Sequence, residues 1–480
     1  MAGTSLEEIV MACQGASLSN LEDPESSMQV TGVTLDSRAV TQGDLFACVI
    51  GVHDDGHQYA DEAVRKGACA LLVERKLEHA IPQILVPNVR EALGPASSVI
   101  HGEPSKKLKV IGVTGTAGKS TTVQVLADVL ESCGTTADVL GTLTGDYTTP
   151  EAPELQRSLA KIRDENKEWA CLEVSSHALE FDRVKGVDFE ATVFTNLSPE
   201  HLDFHEDMEA YFQAKRRLFD FECPVAVVAV SDTWGKRLAS ELRGIGHEGL
   251  VVVDPQLIGN PKLTRSGSSF VWRGQEIETP FLGAFNLMNL LVAAETLRAL
   301  GWQQEVIVEG LAHVSPVKGR MEPVTVPNSD LVVIVDYSHK PEALKEALRA
   351  VRGLCDRRLW VVFGAGGDRD PSKRPLMGAI ATQLADEIIV TSDNPRSEVP
   401  IEIANEIAEG VGSSGTPYRI VLDRGEAIDT AIAEAQPGDL VLIAGKGHET
   451  YQIVGEQRLP FDDAAVSRDA LMRRRESNIP

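Results

Sequence analysis

The sequence predicts an α/β protein, and three observations carry that expectation. Short apolar runs alternate with helical patterns along almost the whole chain, as in mostly parallel sheets. A Gly-rich turn at 112–118 follows one such run and opens a helical stretch. The length, 480 residues, suggests about three domains.

One domain boundary is expected at the polar break Pro104-Ser105-Lys106-Lys107 and a second near Pro316, giving segments 1–106, 107–315 and 316–480. The first segment reads as strands at 44–50 and 68–73 with a helix between them. The middle segment starts with a strand at 109–113, the Gly-rich turn, and a helix over about 119–132 that Gly134 stops. The last segment alternates strands at 331–336, 359–363, 387–391, 419–422 and 440–443 with helices at 341–351, 401–409 and 426–435, a Rossmann-like order.

Composition bounds the partners. With 43% hydrophobic but only 5% aromatic residues, the cores must be largely aliphatic. A formal net charge of -25 repels nucleic acid and anionic membrane, so neither is expected as a partner. Cys13, Cys48, Cys69, Cys133, Cys171, Cys223 and Cys355 are scattered and form no CxxC pair, which reads as reduced thiols in a cytosolic protein. The opening MAGTSLEEIVMACQG is acidic where a signal peptide would be basic, and no apolar run approaches the roughly 20 residues of a membrane span. A cytoplasmic protein is expected.

Gly112-Val113-Thr114-Gly115-Thr116-Ala117-Gly118-Lys119-Ser120-Thr121 has the context of a phosphate-binding loop. Glycines let backbone N–H groups converge on phosphate oxygens, Lys119 reaches the terminal phosphates, and the Ser120 hydroxyl can hold Mg²⁺. The strict GxxxxGK[ST] spacing is not met, because residue 113 is Val and the glycines stand at 112 and 115. The loop implies ATP or GTP and leaves the reaction open.

Glu173, expected at the end of a strand over 170–174, is placed to bind Mg²⁺ directly or through water; the plainer alternative is a surface Glu on an edge strand. Glu200-His201-Leu202-Asp203-Phe204-His205 packs two histidines and two acids into six residues, either a metal or proton site or a solvated loop. Lys215 lies in a helical pattern, and its residues alone favour an exposed lysine.

Taken together, these segments resemble the Mur ligase family, and within it the members that add diaminopimelate. The likeness runs from Leu35-Asp36-Ser37-Arg38 through the phosphate loop, Thr148-Thr149-Pro150-Glu151, Glu173-Val174-Ser175-Ser176-His177 and Thr195-Asn196-Leu197-Ser198. It continues through Ala214-Lys215, Phe285-Asn286-Leu287-Met288-Asn289, Gly319-Arg320-Met321-Glu322, Asp336-Tyr337-Ser338-His339, Asp393-Asn394-Pro395-Arg396 and Gly445-Lys446-Gly447-His448-Glu449. The resemblance implies a three-domain architecture with a central P-loop ATPase-like domain and a Rossmann-like last domain. It implies ATP-dependent joining of meso-diaminopimelate to UDP-N-acetylmuramoyl-L-alanyl-D-glutamate, with Mg²⁺, in a monomer whose domains close during turnover.

The same resemblance implies roles. Leu35 and Ser37 fall at uridine contacts. Gly115, Thr116, Ala117, Gly118, Lys119, Ser120 and Thr121 hold the ATP phosphates, with Asn289, Arg320 and Asp336 on the adenosine side. Thr148, Thr149, Ser175 and Arg183 meet the sugar-peptide. Ser120, Glu173 and His201 neighbour the metal, and Lys119, Glu173, His201 and Lys215 form the catalytic set, Lys215 as a carbamylated lysine. Arg369, Asp393, Asn394, Pro395, Arg396, Gly445 and Glu449 match the diaminopimelate pocket.

The sequence departs from the family pattern in four places: Ala117 and Ser120 in the loop, Tyr147 before Thr148 with a short loop at 142–146, Phe181, and Ser338 with Lys340. The alternatives are a family member adding lysine or another amino acid, a folylpolyglutamate synthetase-like ligase, and a non-catalytic homologue serving as a scaffold.

Overall fold

A computed structural model of the chain describes residues 3–19, 28–51, 54–145, 147–201, 204–412 and 415–477. They form two compact units, one of residues 1–255 with 290–310 and one of 256–289 with 311–480.

Among the described residues the first unit holds a two-stranded pair, Thr4–Ser5 with Gln29–Val30, and two larger sheets. The smaller runs Ser17–Ser19, Gln83–Leu85, Ala70–Val73, Asp44–Ala47, Gly32–Thr34, parallel except at its first pair. Its strands Ala70–Val73 and Asp44–Ala47 are uniformly buried, as strands covered on both faces must be. The expected strand over 44–50 ends at Ala47, and that over 68–73 starts at Ala70.

The larger sheet is all parallel: Leu250–Val253, Val225–Ala229, Phe189–Phe194, Lys109–Thr114, Trp169–Glu173, Ala137–Leu140. The helix Lys119–Ser132 follows its central strand and buries Val123, Val125, Leu126, Val129 and Leu130. It has the limits that its hydrophobic period and Gly134 suggest. Trp169–Glu173 is an interior strand, so Glu173 is not on the edge.

In the second unit a six-stranded sheet runs Glu322–Val324, Val332–Asp336, Leu440–Ala444, Leu359–Phe363, Glu387–Val390, Tyr418–Ile420; only its first pair is antiparallel. Alternate residues of one strand enter opposite cores, because strand side chains alternate sides. Ile334 packs with Leu344, Leu348, Met377 and Ile407, whereas Val333 and Val335 pack with Ile428, Ala431 and Leu471. Pro400 opens the helix Pro400–Val411, where a missing N–H costs nothing, and Asp423 caps Arg424–Glu434 by accepting from the Glu426 N–H.

Two features lie outside the sequence expectation. Gly259–Thr264, Gly267–Trp272 and Gln275–Thr279 form an antiparallel three-stranded sheet, and Tyr451–Val454 pairs with Gln457–Pro460 in a hairpin. No helix among the described residues is long and apolar enough to cross a membrane.

Candidate active site

The phosphate-loop motif lies where the central strand Lys109–Thr114 gives way to the helix Lys119–Ser132. Gly115 has φ +151°, and a Cβ there would fall 1.9 Å from Thr195 Oγ1, so only glycine fits. The loop is strapped from the next strand end. Asn196 O accepts from the Thr116 N–H at 2.9 Å. The Asn196 side chain bonds both polar groups of the Ala117 backbone, Oδ1 accepting from its N–H and Nδ2 donating to its carbonyl, each at 3.0 Å. Thr195 Oγ1 donates to the same carbonyl at 2.7 Å. The shape of the loop therefore does not depend on the side chain at 117.

Two ammonium groups meet at one oxygen. Lys119 Nζ donates to Gly115 O and Thr116 O, both at 2.9 Å. Lys215 Nζ donates to Gly115 O at 2.8 Å and lies 4.7 Å from the centroid of the Tyr211 ring. Lys215 is 1% exposed, which corrects the reading of an exposed lysine. The helix Met208–Arg216 turns Tyr211, Phe212, Ala214 and Lys215 inward, and burial pushes the Tyr211 hydroxyl pKa up.

Glu173, 1% exposed, ends the neighbouring strand in register with Val113. Its Oε1 accepts from the Thr142 N–H at 2.9 Å. Around it gather the residues expected at the sugar-peptide. Thr149 Oγ1 donates to Glu173 O at 2.8 Å, accepts from the Ser175 N–H at 3.0 Å and bonds Ser175 Oγ at 3.3 Å. Thr148 Oγ1 meets Thr142 Oγ1 at 3.0 Å. Arg183 pairs with Glu151 at 2.6 Å and donates to Thr149 O at 3.1 Å. Arg90 reaches the other oxygen of Glu151 at 3.3 Å and covers the Phe181 ring at 4.8 Å. Phe181 thus packs beneath a guanidinium pair in place of offering a polar side chain.

His201 has a left-handed backbone, φ +57°, and its ring stands 4.9 Å from that of His177. His205, 5% exposed, shares a 3.0 Å hydrogen bond with Ser176 Oγ. Leu202 and Asp203, like Asp146, lie outside the described residues. Among the described residues no three His, Cys, Asp or Glu side chains form a group able to hold a metal by themselves. The Glu173 carboxylate and the Ser120 hydroxyl, both buried, are oxygen donors of the kind that Mg²⁺ takes, one or two at a time, beside phosphates and water. Leu35 and Ser37 follow the strand Gly32–Thr34 in the smaller sheet, and Ser37 Oγ donates to Glu62 at 2.8 Å.

In the second unit Asp336 ends the strand Val332–Asp336, accepting from the Met321 and Ser338 N–H groups at 2.8 and 2.9 Å. The Ser338 hydroxyl also bonds it, so that departure adds a donor. Arg320 lies over the Tyr337 ring at 4.4 Å, and Asn289 Nδ2 donates to Asn286 Oδ1 at 3.1 Å.

The sheet's strand ends gather the expected amino-acid pocket. Asp393-Asn394-Pro395-Arg396 follows Glu387–Val390, and 445–449 follows Leu440–Ala444. Gly445 has φ +120°, and a Cβ there would stand 2.6 Å from Asp393 Oδ2. That oxygen is buried with no hydrogen-bond partner among the described residues. Arg396, φ +51°, is pinned through its N–H to Ile453 O at 3.0 Å, and its guanidinium donates to Gly367 O at 2.6 Å. Arg369 is exposed and donates to Asp368 O at 3.1 Å. Asn394 Nδ2 donates to Glu449 Oε2 at 2.8 Å.

Sequence reading assigned no part to Asn196, Thr142, Glu151, Lys446, Arg424 or Asp463. Glu151, Asn196 and Lys446 stand inside motifs that carry the family resemblance. The buried Arg424–Asp463 pair, at 2.7 Å and 0% exposure on both sides, joins residues 39 apart and left no local signal.

Comparison with known proteins identifies the family. Family models for the Mur ligase family catalytic domain, the Mur ligase middle domain and the Mur ligase glutamate ligase domain match residues 29–104, 113–297 and 319–447. The chain is 41% identical over 471 residues to the UDP-N-acetylmuramoyl-L-alanyl-D-glutamate--2,6-diaminopimelate ligase of Geobacillus thermodenitrificans, covering 93% of this chain and 96% of that one. It is 40% identical over 493 residues to the ligase of the same name from Gloeobacter violaceus, covering 99% of each. A solved structure of a UDP-N-acetylmuramoyl-L-alanyl-D-glutamate--2,6-diaminopimelate ligase superposes with a TM-score of 0.70 at 32% identity, over 98% of this chain and 99% of that one. The chain belongs to the Mur ligase family.

Proposed function

We propose that this protein joins meso-diaminopimelate to UDP-N-acetylmuramoyl-L-alanyl-D-glutamate at the expense of ATP, as a cytoplasmic step of peptidoglycan precursor synthesis. The observation that carries the reading is the convergence of Lys119 and Lys215 on Gly115 O, one strand away from the buried carboxylate of Glu173. A phosphate loop with a second buried lysine and a buried acid is built to manage charge on a phosphoryl group in transfer.

A carboxylate is a poor acyl donor. Attack of the substrate's glutamyl carboxylate on the terminal phosphorus releases ADP and gives an acyl phosphate. The amine of the incoming amino acid then adds to the acyl carbon, loses its proton, and the tetrahedral intermediate expels phosphate. Lys119 follows the negative charge of the transferring oxygens. Thr148, Thr149, Ser175 and Arg183 hold the carboxylate in line, so that part of the barrier is met by orientation. Ser120, Glu173 and His201 would hold Mg²⁺, which when bound neutralises phosphoryl oxygens.

Lys215 works as a carbamate in this reading. Its ammonium first gives up a proton; the neutral amine then adds CO₂ and gives up a second, so that a cation becomes an anion. In the bare protein Lys119 and Lys215 share one loop carbonyl, and Lys215 is buried there. The carbamate sets an anion beside the Lys119 ammonium and would add oxygens to the metal site.

For the amino acid, Arg396 decides. Meso-diaminopimelate differs from lysine by a second carboxylate at the end of its side chain. A guanidinium binds that group through two parallel hydrogen bonds and repels the ammonium that lysine would put there. The test is the mass of the product formed with ATP, the nucleotide dipeptide and an equimolar mixture of amino acids including diaminopimelate and lysine. The diaminopimelate adduct is expected. A lysine adduct, or ATP hydrolysis with no adduct, would sink the reading.

A further inference from the structure

We propose that Lys446 is a positioning residue for the incoming amino acid, fixing which faces Asn394 and Glu449 present to it. The inference rests on reading 393–396 and 445–449 as the amino-acid pocket. Lys446 follows Gly445 at the end of Leu440–Ala444 and is 0% exposed. Its Nζ donates to Asn394 Oδ1 at 3.0 Å and to Glu449 Oε2 at 2.8 Å, and it lies 5.9 Å from the centre of the Tyr451 ring.

This arrangement leaves one orientation for the Asn394 amide. Its Oδ1 receives the Lys446 ammonium and, at 3.0 Å, the Ile453 N–H. Turned over, the amide would direct its own N–H groups at two donors, which is repulsive. The Nδ2 group therefore faces Glu449 and donates to Oε2 at 2.8 Å. Glu449 Oε2 then takes two donors, while among the described residues Oε1 takes none. The Glu449 side chain is 21% exposed, so the carboxylate offers Oε1 outward, where an amino-acid ammonium can meet it. Without the buried cation, the amide loses its preferred face and Oε2 loses its charged donor. Glu449, on a flexible stem, would then hold its free oxygen less firmly.

A wholly structural lysine would lower stability and affect all substrates alike. A positioning lysine acts on one of them. The experiment is steady-state kinetics of Lys446→Met with each of the three substrates varied in turn, using whichever amino acid the unmodified protein ligates. The KM for the amino acid is expected to rise on the order of tenfold or more. The kcat should change little, and the KM values for ATP and the nucleotide dipeptide should hold. A double variant, Lys446→Met with Glu449→Gln, should be no worse than the worse single variant, because the lysine acts through that carboxylate. Should Lys446→Met fail to fold by circular dichroism, Lys446→Gln, which keeps a donor without the charge, should show the same split to a smaller degree. An equal rise in all three KM values, a loss confined to kcat, no change, additive effects in the double variant, or failure of both variants to fold would each overturn the proposal. Ligation of lysine by the unmodified protein would refute the substrate reading and leave this one standing, since the split is measured with the amino acid actually used.

Discussion

The phosphate loop and the amino-acid pocket both stand at strand ends of parallel sheets, yet they are held by different means. The loop is contiguous, residues 112–121, and it is held at its own backbone: the Asn196 and Thr195 side chains strap the Ala117 peptide groups, and both lysines reach loop carbonyls. The pocket is assembled from 369, 393–396 and 445–449, and side chains fix it: Asn394, Lys446 and Glu449 among themselves, with Arg424 behind them. Arg424 donates to Ala444 O at 3.1 Å and Ser392 O at 3.4 Å while paired with Asp463, so one buried guanidinium grips both strand ends that carry the pocket. A loop held at its backbone keeps its shape whatever side chain stands at 117. A site held by side chains concentrates its geometry in a few buried charges.

Substitutions can break this contrast at either end. The largest effect is expected at Lys119→Ala, which keeps the Asn196 and Thr195 straps and removes the ammonium that the proposed reaction sets against the phosphates. Ligation should fall by more than about a thousandfold with an unchanged melting temperature. Retained turnover in a folded variant would remove the loop from the chemistry. Lys215→Ala is expected to come next, close to inactive, with part of the activity returned by short-chain carboxylic acids that supply the missing anion. Mass spectrometry of the intact, active protein should show the carbamate, and a bare amine at full activity would count against it.

In the second unit the expected effect is on stability first. Arg424→Met leaves Asp463 buried and unpaired, at a cost of about 3–5 kcal/mol. Denaturant unfolding would reveal it, and a loss under about 1 kcal/mol would mean the strand ends hold without the clamp. The smallest effect sharpens the comparison most. Arg396→Ala should lower the preference for diaminopimelate over lysine by about 1.5–3 kcal/mol, ten- to a hundredfold in the ratio of kcat/KM, and leave the fold alone. An unchanged ratio would move the specificity elsewhere in the pocket.

The difference between the two regions also decides how legible each was. The phosphate loop could be read because its chemistry occupies consecutive residues with a strand before and a helix after. Glu173 could be placed at a strand end, but its depth in the sheet could not, because strand order puts Ala137–Leu140 outside it. Lys215 read as exposed, since a helical period does not show what packs against each side. Its burial follows from Tyr211 beside it and the loop carbonyl above it. The antiparallel strands at Gly259–Thr264 and Gly267–Trp272 escaped notice because Lys262, Thr264, Ser268 and Ser269 interrupt any apolar run.

Sequence by itself determined the α/β class, the helix Lys119–Ser132, the Rossmann-like order of the last segment and the residue types gathered at each strand end. Those depend on local periodicity, turn chemistry and short motifs, which act over a few residues. Only the tertiary structure decided that two ammonium groups meet at Gly115 O, that Asn196 holds the loop, that Lys446 orients Asn394 and Glu449, and that Arg424 pairs with Asp463. Each of these joins residues brought together by strand order and helix packing, and a buried charge takes its partner from whatever the packing places beside it.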